Sequence, residues 1–393
     1  MVATLSAVVG AAAFADLGVG SGLVTLLASS TAMPERVTMQ RLVSNAAACL
    51  LSLGSLIAVA LTICAFTVDW PGIFGVEARF ARDLEFSVVA LGVSIGGGIA
   101  ASLGERILLG LQRGTSVNIW SAARSAAAFG GVAICALASA PMWCFVFAIV
   151  GLPAAVAVAE STWVLRVVAP DLRPTARRVT RPGMAQMLQL GGLFFALNVA
   201  VAVAYETDTL VIAAMKGAAA VAVFAVAARI FSLLSAVISA GSQQLWPAMT
   251  AALAQGDVAW VRSRVTRVLA GSLAVSSVGG GFFVVSGRAL TRIWVGPSLQ
   301  PPVALLVVLA AWTSYALVMS QLSLLLTAAQ VVSPQVAMAL SMAVVNVGLS
   351  ILLTARFGLV GPILGSLIAH VVCAGVPTVV LSRRILRTRS VAV

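Results

Sequence analysis

Long apolar runs follow one another through this chain with only short charged or Pro/Gly-marked breaks between them, and they dictate what it can fold into. About 20 consecutive apolar residues in a helix cross the roughly 30 Å of hydrocarbon in a bilayer. Runs of that length or longer fall at 2–29, 42–67, 84–109, 116–138, 141–163, 184–206, 219–247, 266–286, 302–328, 334–355 and 358–381, eleven in all. Backbone surrounded by lipid has no water to bond to, so only helices and closed barrels span it. These runs are too long for barrel strands and show no alternation of period two. The expected fold is therefore an all-α integral membrane protein. The composition agrees: 61% of residues are hydrophobic, 9% are charged and the mean hydropathy is +1.09, far outside the range of soluble domains.

The formal charge of +12 does not point to nucleic acid, because the basic residues are spread over loops with no aromatic interleaving or recognition motif. It reads instead as membrane topology. With the loop after the first span placed in the cytoplasm, that side carries sixteen of the 24 basic residues, among them Arg36, Arg41, Arg106, Arg113, Arg166 and Arg383. The other side carries six: Arg79, Arg82, Lys216, Arg288, Arg292 and Arg356. The positive-inside rule then puts the carboxyl terminus in the cytoplasm and the amino terminus outside, in a multi-pass protein of a cell inner membrane.

Residues 166–183, with five arginines and three prolines, form the most conspicuous interruption. They are expected to be a cytoplasmic basic linker between an N-terminal lobe of five spans (1–165) and a C-terminal lobe of six (184–393). Transporters are commonly built from two equal repeats facing a central cavity. Five against six implies one further helix ahead of the first span, lost by truncation or by the choice of start codon; a true eleven-span protein is the alternative. The five cysteines all fall within spans with no C-x-x-C pairing, and the single histidine, His370, has no ligand-spaced partner, so neither a metal site nor a cofactor is expected.

Charges within spans are the informative positions, since each costs about 2.5–3.5 kcal/mol at the bilayer centre unless it faces protein or trapped water. Arg229 and Arg124 lie inside the spans 219–247 and 116–138, and Asp16 lies near the middle of the first. Guanidinium forks suit the bidentate oxygens of phosphate or pyrophosphate, so Arg229, Arg124 and Asp16 are the candidate substrate-binding residues. The competing reading pairs each arginine with a buried carboxylate such as Asp16 in a purely structural role. Glu206 and Asp208 close the outer end of the span 184–206, either as a site for a coupling cation or proton or as solvated interface charges. The glycines of D-L-G-V-G-S-G (16–22), Gly96 to Gly98 and Gly279 to Gly281 mark close helix contacts or bends. No P-loop, H-E-x-x-H or nucleophile elbow is present, so the chain is not expected to be an enzyme.

Several segments resemble, in order, the Wzx-type O-antigen and polysaccharide flippases of the multidrug/oligosaccharidyl-lipid/polysaccharide exporter superfamily. They are F-A-D-L-G-V-G-S-G-L-V (14–24), L-L-G-L-Q-R-G (108–114), Y-E-T-D-T-L-V-I-A-A-M-K-G-A-A-A-V-A-V-F-A-V-A-A-R (205–229), L-W-P-A-M-T-A-A-L-A-Q-G-D (245–257) and R-I-W-V-G (292–296). The resemblance implies twelve helices in two six-helix lobes around a central cationic cavity, from which this chain departs by its missing first helix. It implies transport of a polyprenyl-pyrophosphate-linked oligosaccharide across the inner membrane for surface polysaccharide biosynthesis, with Arg229 the best match to a cavity arginine. The partners on that reading are the lipid-linked oligosaccharide, membrane lipids, a polysaccharide polymerase and glycosyltransferases. A cation-coupled multidrug exporter of the same superfamily and a non-transporting scaffold of a polysaccharide assembly complex are the alternatives. The topology is directly testable: alkaline phosphatase fused after Thr175 is expected to be inactive and fused after Pro71 active, and the reverse pattern would invert the assignment.

Overall fold

In a computed structural model, residues 16–30, 36–74, 77, 81–242 and 244–388 are described. Among them the regular structure is helical and contains no strand. Among the described residues nine helices are long and apolar enough to cross a membrane, and the ninth, Val332–Arg387, turns back at Gly358, so it accounts for two of the expected spans. The first expected span is described only from Asp16 onward, where it contains the apolar helix Val19–Ser30. The chain is thus a multi-pass helical membrane protein. It divides into two compact units, Met1–Phe195 and Ala196–Val393.

The first unit contains α1 (Val19–Ser30), α2 (Arg36–Thr67), the short α3 (Trp70–Phe74), α4 (Ala81–Ala101), α5 (Leu103–Gly110), α6 (Gly114–Leu137) and α7 (Met142–Val168). Helices in lipid gain little from apolar burial against one another, so close van der Waals approach between small residues holds them. The antiparallel pair α2 and α4 shows this. A Cβ placed on Gly54 would collide with the carbonyl of Gly96, and one placed on Gly96 with that of Gly54. Gly97 has open space and Gly98 meets only the Cβ of Ala154, at 3.6 Å, so one glycine of the triplet makes the contact.

The arginine-rich segment 166–183 is docked on the start of α2. Arg36 pairs with Asp171 at 3.3 Å, Gln40 donates to the carbonyl of Arg173, and the backbone N–H groups of Thr175 and Thr180 donate to Ser44 and Asn45. The boundary between the units lies further on, inside α8 (Arg181–Lys216).

The second unit takes the rest of α8 with α9 (Ala218–Ser242), α10 (Leu245–Ala254), α11 (Val258–Val295), α12 (Val303–Ala328), α13 (Val332–Phe357), α14 (Gly361–His370) and α15 (Val376–Thr388), the last two joined by a π turn. Asp257 caps α11 by accepting from the N–H of Trp260 at 2.9 Å. A core of Ile212, Phe224, Phe231, Leu305, Leu306 and Ile363 ties α8, α9, α12 and α14 together. Helices α8 and α11 have 36 and 38 residues, well beyond the apolar runs 184–206 and 266–286. Hydropathy detects only the lipid-facing stretch, whereas helical bonding continues through polar ends.

Replacing Gly96 by Leu is expected to destabilise the protein by about 2 kcal/mol or more, because rigid backbone must move to admit the side chain, while Gly97→Ala leaves stability unchanged. Thermal unfolding in detergent compares the two; equal behaviour would remove the α2–α4 contact from the account of the fold.

Candidate functional site

The charged cluster of the first unit begins at a turn. Asp16 accepts from the N–H of Gly18 at 2.9 Å, and its carbonyl accepts from Val19, so it starts α1. Leu17 and Gly18 both have positive φ, 47° and 72°, and Gly18 packs so tightly on Gly191 and Phe194 that no side chain fits there. Two residues on, a Cβ at Gly20 would occupy the place of the Arg106 guanidinium and the Asp16 carboxylate. The D-L-G-V-G-S-G run is therefore a packing and positioning motif: its glycines admit the ion pair Arg106 Nη2 to Asp16 Oδ2, at 3.3 Å.

Helix α5 supplies Arg106 and its neighbour Glu105. It is fastened to α7 through Ser161, whose hydroxyl donates to the carbonyl of Ala101 and accepts from the N–H of Gly104 at 2.8 Å. Arg124 of α6 then bridges two carboxylates, Nη1 to Glu105 Oε2 at 2.7 Å and Nη2 to the fully buried Glu160 Oε2 of α7 at 3.1 Å. Of Arg124 and Arg229, which were expected to line a cavity, Arg124 is placed in one, with its charge held by carboxylates.

That cavity has a volume of about 260 Å³ and lies among α1, α4, α5, α6 and α7. Asp16, Arg106, Arg124, Ser94 and Ser102 give it a polar end, and Ile95, Ile99, Val150 and Pro153 are among its apolar walls. Several buried groups around it have no hydrogen-bond partner among the described residues: Arg106 Nε, Arg124 Nε and Ser94 Oγ, whereas Arg124 Nη2 is occupied by its ion pair with Glu160. An unsatisfied buried donor costs about 1–3 kcal/mol, so these N–H and O–H groups are ready for water or an anionic ligand.

Three charged residues of this cluster, Arg106, Glu105 and Glu160, escaped the sequence reading. Arg106 lies at the end of the span 84–109 and passes for a loop charge. Glu160 lies three residues before the end of the span 141–163 and passes for an interface charge; the helix continues to Val168 and Glu160 is fully buried.

Asp208 is not a solvated interface charge. It sits eight residues before the end of α8, is only 6% exposed, and accepts from Ser366 at 2.6 Å, Ser350 at 2.9 Å and Asn346 at 3.4 Å. The three partners come from α13 and α14, and each is at most 1% exposed. Asn346 Oδ1 lies 3.2 and 3.0 Å from the same two hydroxyls, an alternative acceptor for their single protons. A carboxylate, an amide oxygen and two hydroxyls thus meet with no basic side chain paired to Asp208 among the described residues, a donor set suited to a proton or a small hard cation. The side chain of Glu206 lies outside the described residues. Arg229, on α9, is exposed and forms no ion pair among the described residues; its carbonyl accepts from Ser232. His370 is bonded through Nδ1 to the Tyr315 hydroxyl at 2.9 Å and stacks edge-on with Trp312 and Tyr315, which satisfies it locally.

Among solved structures, a MATE protein carrying a proline-to-alanine substitution superposes with a TM-score of 0.84 at 15% identity, over 98% of this chain and 88% of that one. The fold is that of the MATE transporters. An outward-facing multidrug resistance MATE transporter of the MOP superfamily gives a TM-score of 0.81 at 14% identity, over 96% of this chain and 86% of that one. A MOP-superfamily transporter from Pyrococcus furiosus, described by the reversed polarity of its binding pocket, gives 0.78 at 13% identity with the same coverage. No protein-family model and no curated protein matches the sequence. Within this MATE fold, then, the chain carries an arginine-bearing cavity in one unit and a buried carboxylate in the other.

Truncating Arg124 to Ala is expected to cost about 3 kcal/mol, since it strands the buried Glu160, and Glu160→Gln in the same protein is expected to restore most of it. Thermal unfolding of the two single variants and the double variant measures this. Additive losses would mean that the Arg124–Glu160 pair is not an energetic unit.

Proposed function

We propose that this chain is a transporter that moves a polyprenyl-pyrophosphate-linked oligosaccharide across the inner membrane for surface polysaccharide biosynthesis, with its carboxyl terminus in the cytoplasm. One observation carries this reading: buried guanidinium N–H groups of Arg106 and Arg124 without hydrogen-bond partners border a cavity inside the membrane-spanning helices. Such groups bind phosphate oxygens strongly where water is scarce. The carboxylates Asp16, Glu105 and Glu160 hold the two arginines in place and offset their charge when the cavity is empty. The MATE fold, whose solved examples include transporters, and the ordered flippase-like segments support the same reading.

In the native organism, Arg106→Gln together with Arg124→Gln, made with Glu160→Gln so that no fully buried carboxylate is stranded, is expected to reduce surface polysaccharide at least tenfold in cells matched for protein level, while Glu160→Gln alone does not, because glutamine stays polar and removes the guanidinium charge. Polymer at the normal level in that variant would overturn the assignment. The effect of Arg229→Ala, scored in the same assay, tells whether Arg229 also meets cargo.

A cation-coupled multidrug exporter of the same superfamily is the second reading, and the buried cluster of oxygens around Asp208 favours it. Asp208→Asn keeps the size of the side chain and removes the charge. On this second reading the variant raises drug susceptibility and leaves surface polysaccharide intact; loss of polysaccharide instead makes Asp208 the coupling group of the flippase.

A further inference from the structure

One end of the second unit, the end that the loop charges place in the cytoplasm, carries positive charge that its own sequence does not neutralise. Arg262, Arg264 and Arg267 open α11, and Arg383, Arg384 and Arg387 close α15. No Asp or Glu occurs in residues 258–393. The acidic residue that precedes them, Asp257, is engaged in capping α11. Arg262, Arg264, Arg267, Arg383 and Arg387 form no ion pair among the described residues.

The two helix ends meet. Arg262 Nη2 donates to the carbonyl of Leu386 at 2.7 Å, one of the carbonyls that the last turn of α15 leaves without a helical partner. Ile385 and Leu386 pack against the core that holds Val261 and Val265. The Arg264 guanidinium lies over the Trp260 ring, 5.2 Å from its centre, and Arg267 Nη2 donates to Ser263 Oγ at 2.9 Å. These contacts hold the guanidinium groups in place without supplying a negative charge.

Helical spacing decides which way the arginines face. On α11, Trp260, Arg264 and Arg267 fall within about 60° of the line through Val278, Phe282 and Val285, at 100° per residue. Those three apolar side chains are 57–87% exposed. On α15, Arg383 and Arg387 continue the line of Val376 and Val380, which are 58% and 44% exposed. Exposed apolar side chains on helices that cross a bilayer face acyl chains. Arginines on the same lines, at the helix ends, therefore lie beside lipid at the depth where head groups begin.

We infer that the joined ends of α11 and α15 are a docking surface for anionic phospholipid head groups of the cytoplasmic leaflet. Arg264, Arg267, Arg383 and Arg387 take the phosphate oxygens, for which guanidinium forks are well shaped. A lipid is favoured over a soluble acidic partner because the arginines continue lipid-facing lines and because Trp260, an amphipathic ring suited to the interface, stands among them. Each arginine close to an anionic bilayer surface strengthens association roughly fivefold. A bound head group also relieves the mutual repulsion of the arginines where the two helices join. The inference concerns the lipid around the protein and holds whichever cargo it carries.

The test uses the full chain in detergent, titrated with phosphatidylglycerol or with phosphatidylcholine of the same acyl chains while lipid-bound forms are counted by native mass spectrometry. Phosphatidylglycerol is expected to bind at least tenfold more tightly than phosphatidylcholine. Arg267→Gln with Arg383→Gln is expected to weaken phosphatidylglycerol binding at least tenfold and to leave phosphatidylcholine binding unchanged; both side chains are exposed, so the core is untouched. Arg288→Gln with Arg292→Gln removes the same charge from the opposite end of α11 and is expected to change the affinity less than threefold. Equal affinity of the unaltered protein for the two lipids, or an equal fall in the two double variants, overturns the proposal.

A second measurement locates the lipid without altering any arginine. In nanodiscs, phosphatidylglycerol brominated near its head group is expected to quench a component of tryptophan fluorescence that is missing from Trp260→Phe. Identical quenching in the two proteins would place the lipid elsewhere and overturn the site.

Discussion

A charge inside a bilayer must be neutralised or hydrated, and that constraint organises the first unit around Arg124. Its guanidinium reaches Glu105 on α5 and Glu160 on α7, so three helices that gain little from apolar contact in lipid are joined by one cation. Most of the surrounding architecture makes that junction possible. Ser161 ties α5 to α7, and the absent Cβ of Gly20 lets Arg106 reach Asp16 beside it. The pairing is incomplete in hydrogen-bonding terms, because the Nε–H groups of both arginines remain without partners among the described residues. A structural ion-pair network with spare donors bordering a cavity is well disposed to exchange part of its carboxylate contact for an anionic ligand.

The second unit meets the same constraint in another way. Asp208 is surrounded by neutral donors on α13 and α14, which turn back on each other at Gly358 and approach closely through Gly361 and Gly365. The small residues that bring the two helices together also bring Asn346, Ser350 and Ser366 to one point. Helix contact and polar site are products of one packing arrangement, as expected where backbone proximity rather than apolar burial drives association. One unit thus holds arginines among carboxylates and the other a carboxylate among neutral donors, two chemically distinct polar clusters.

The linker illustrates how a charge-rich segment acquires structure. Its arginines mark it as cytoplasmic in the sequence, but its path follows hydrogen bonds to Gln40, Ser44 and Asn45 on α2. Those polar residues open an otherwise apolar helix and satisfy backbone groups that a connecting segment would leave to water.

The sequence by itself determined the class of fold and nearly all of its spans, because an apolar run of membrane length has one way to satisfy its backbone in lipid. It also marked Arg124, Asp16 and Asp208 as exceptional, since each is a charge in or at the end of such a run. Partnership was not legible. Arg106 and Glu105 look like loop charges at a span end, and Asn346, Ser350 and Ser366 are ordinary polar residues in apolar helices until packing brings them to one carboxylate. The extents of α8 and α11 were equally hidden, since hydropathy measures side-chain affinity for lipid while helix length is set by backbone bonding. Only the tertiary structure decided that Arg124 borders a cavity while Arg229 is exposed, and that Asp208 is enclosed rather than solvated. Those facts depend on which faces of separate helices meet, and side-chain identity along a single strand of sequence does not encode that.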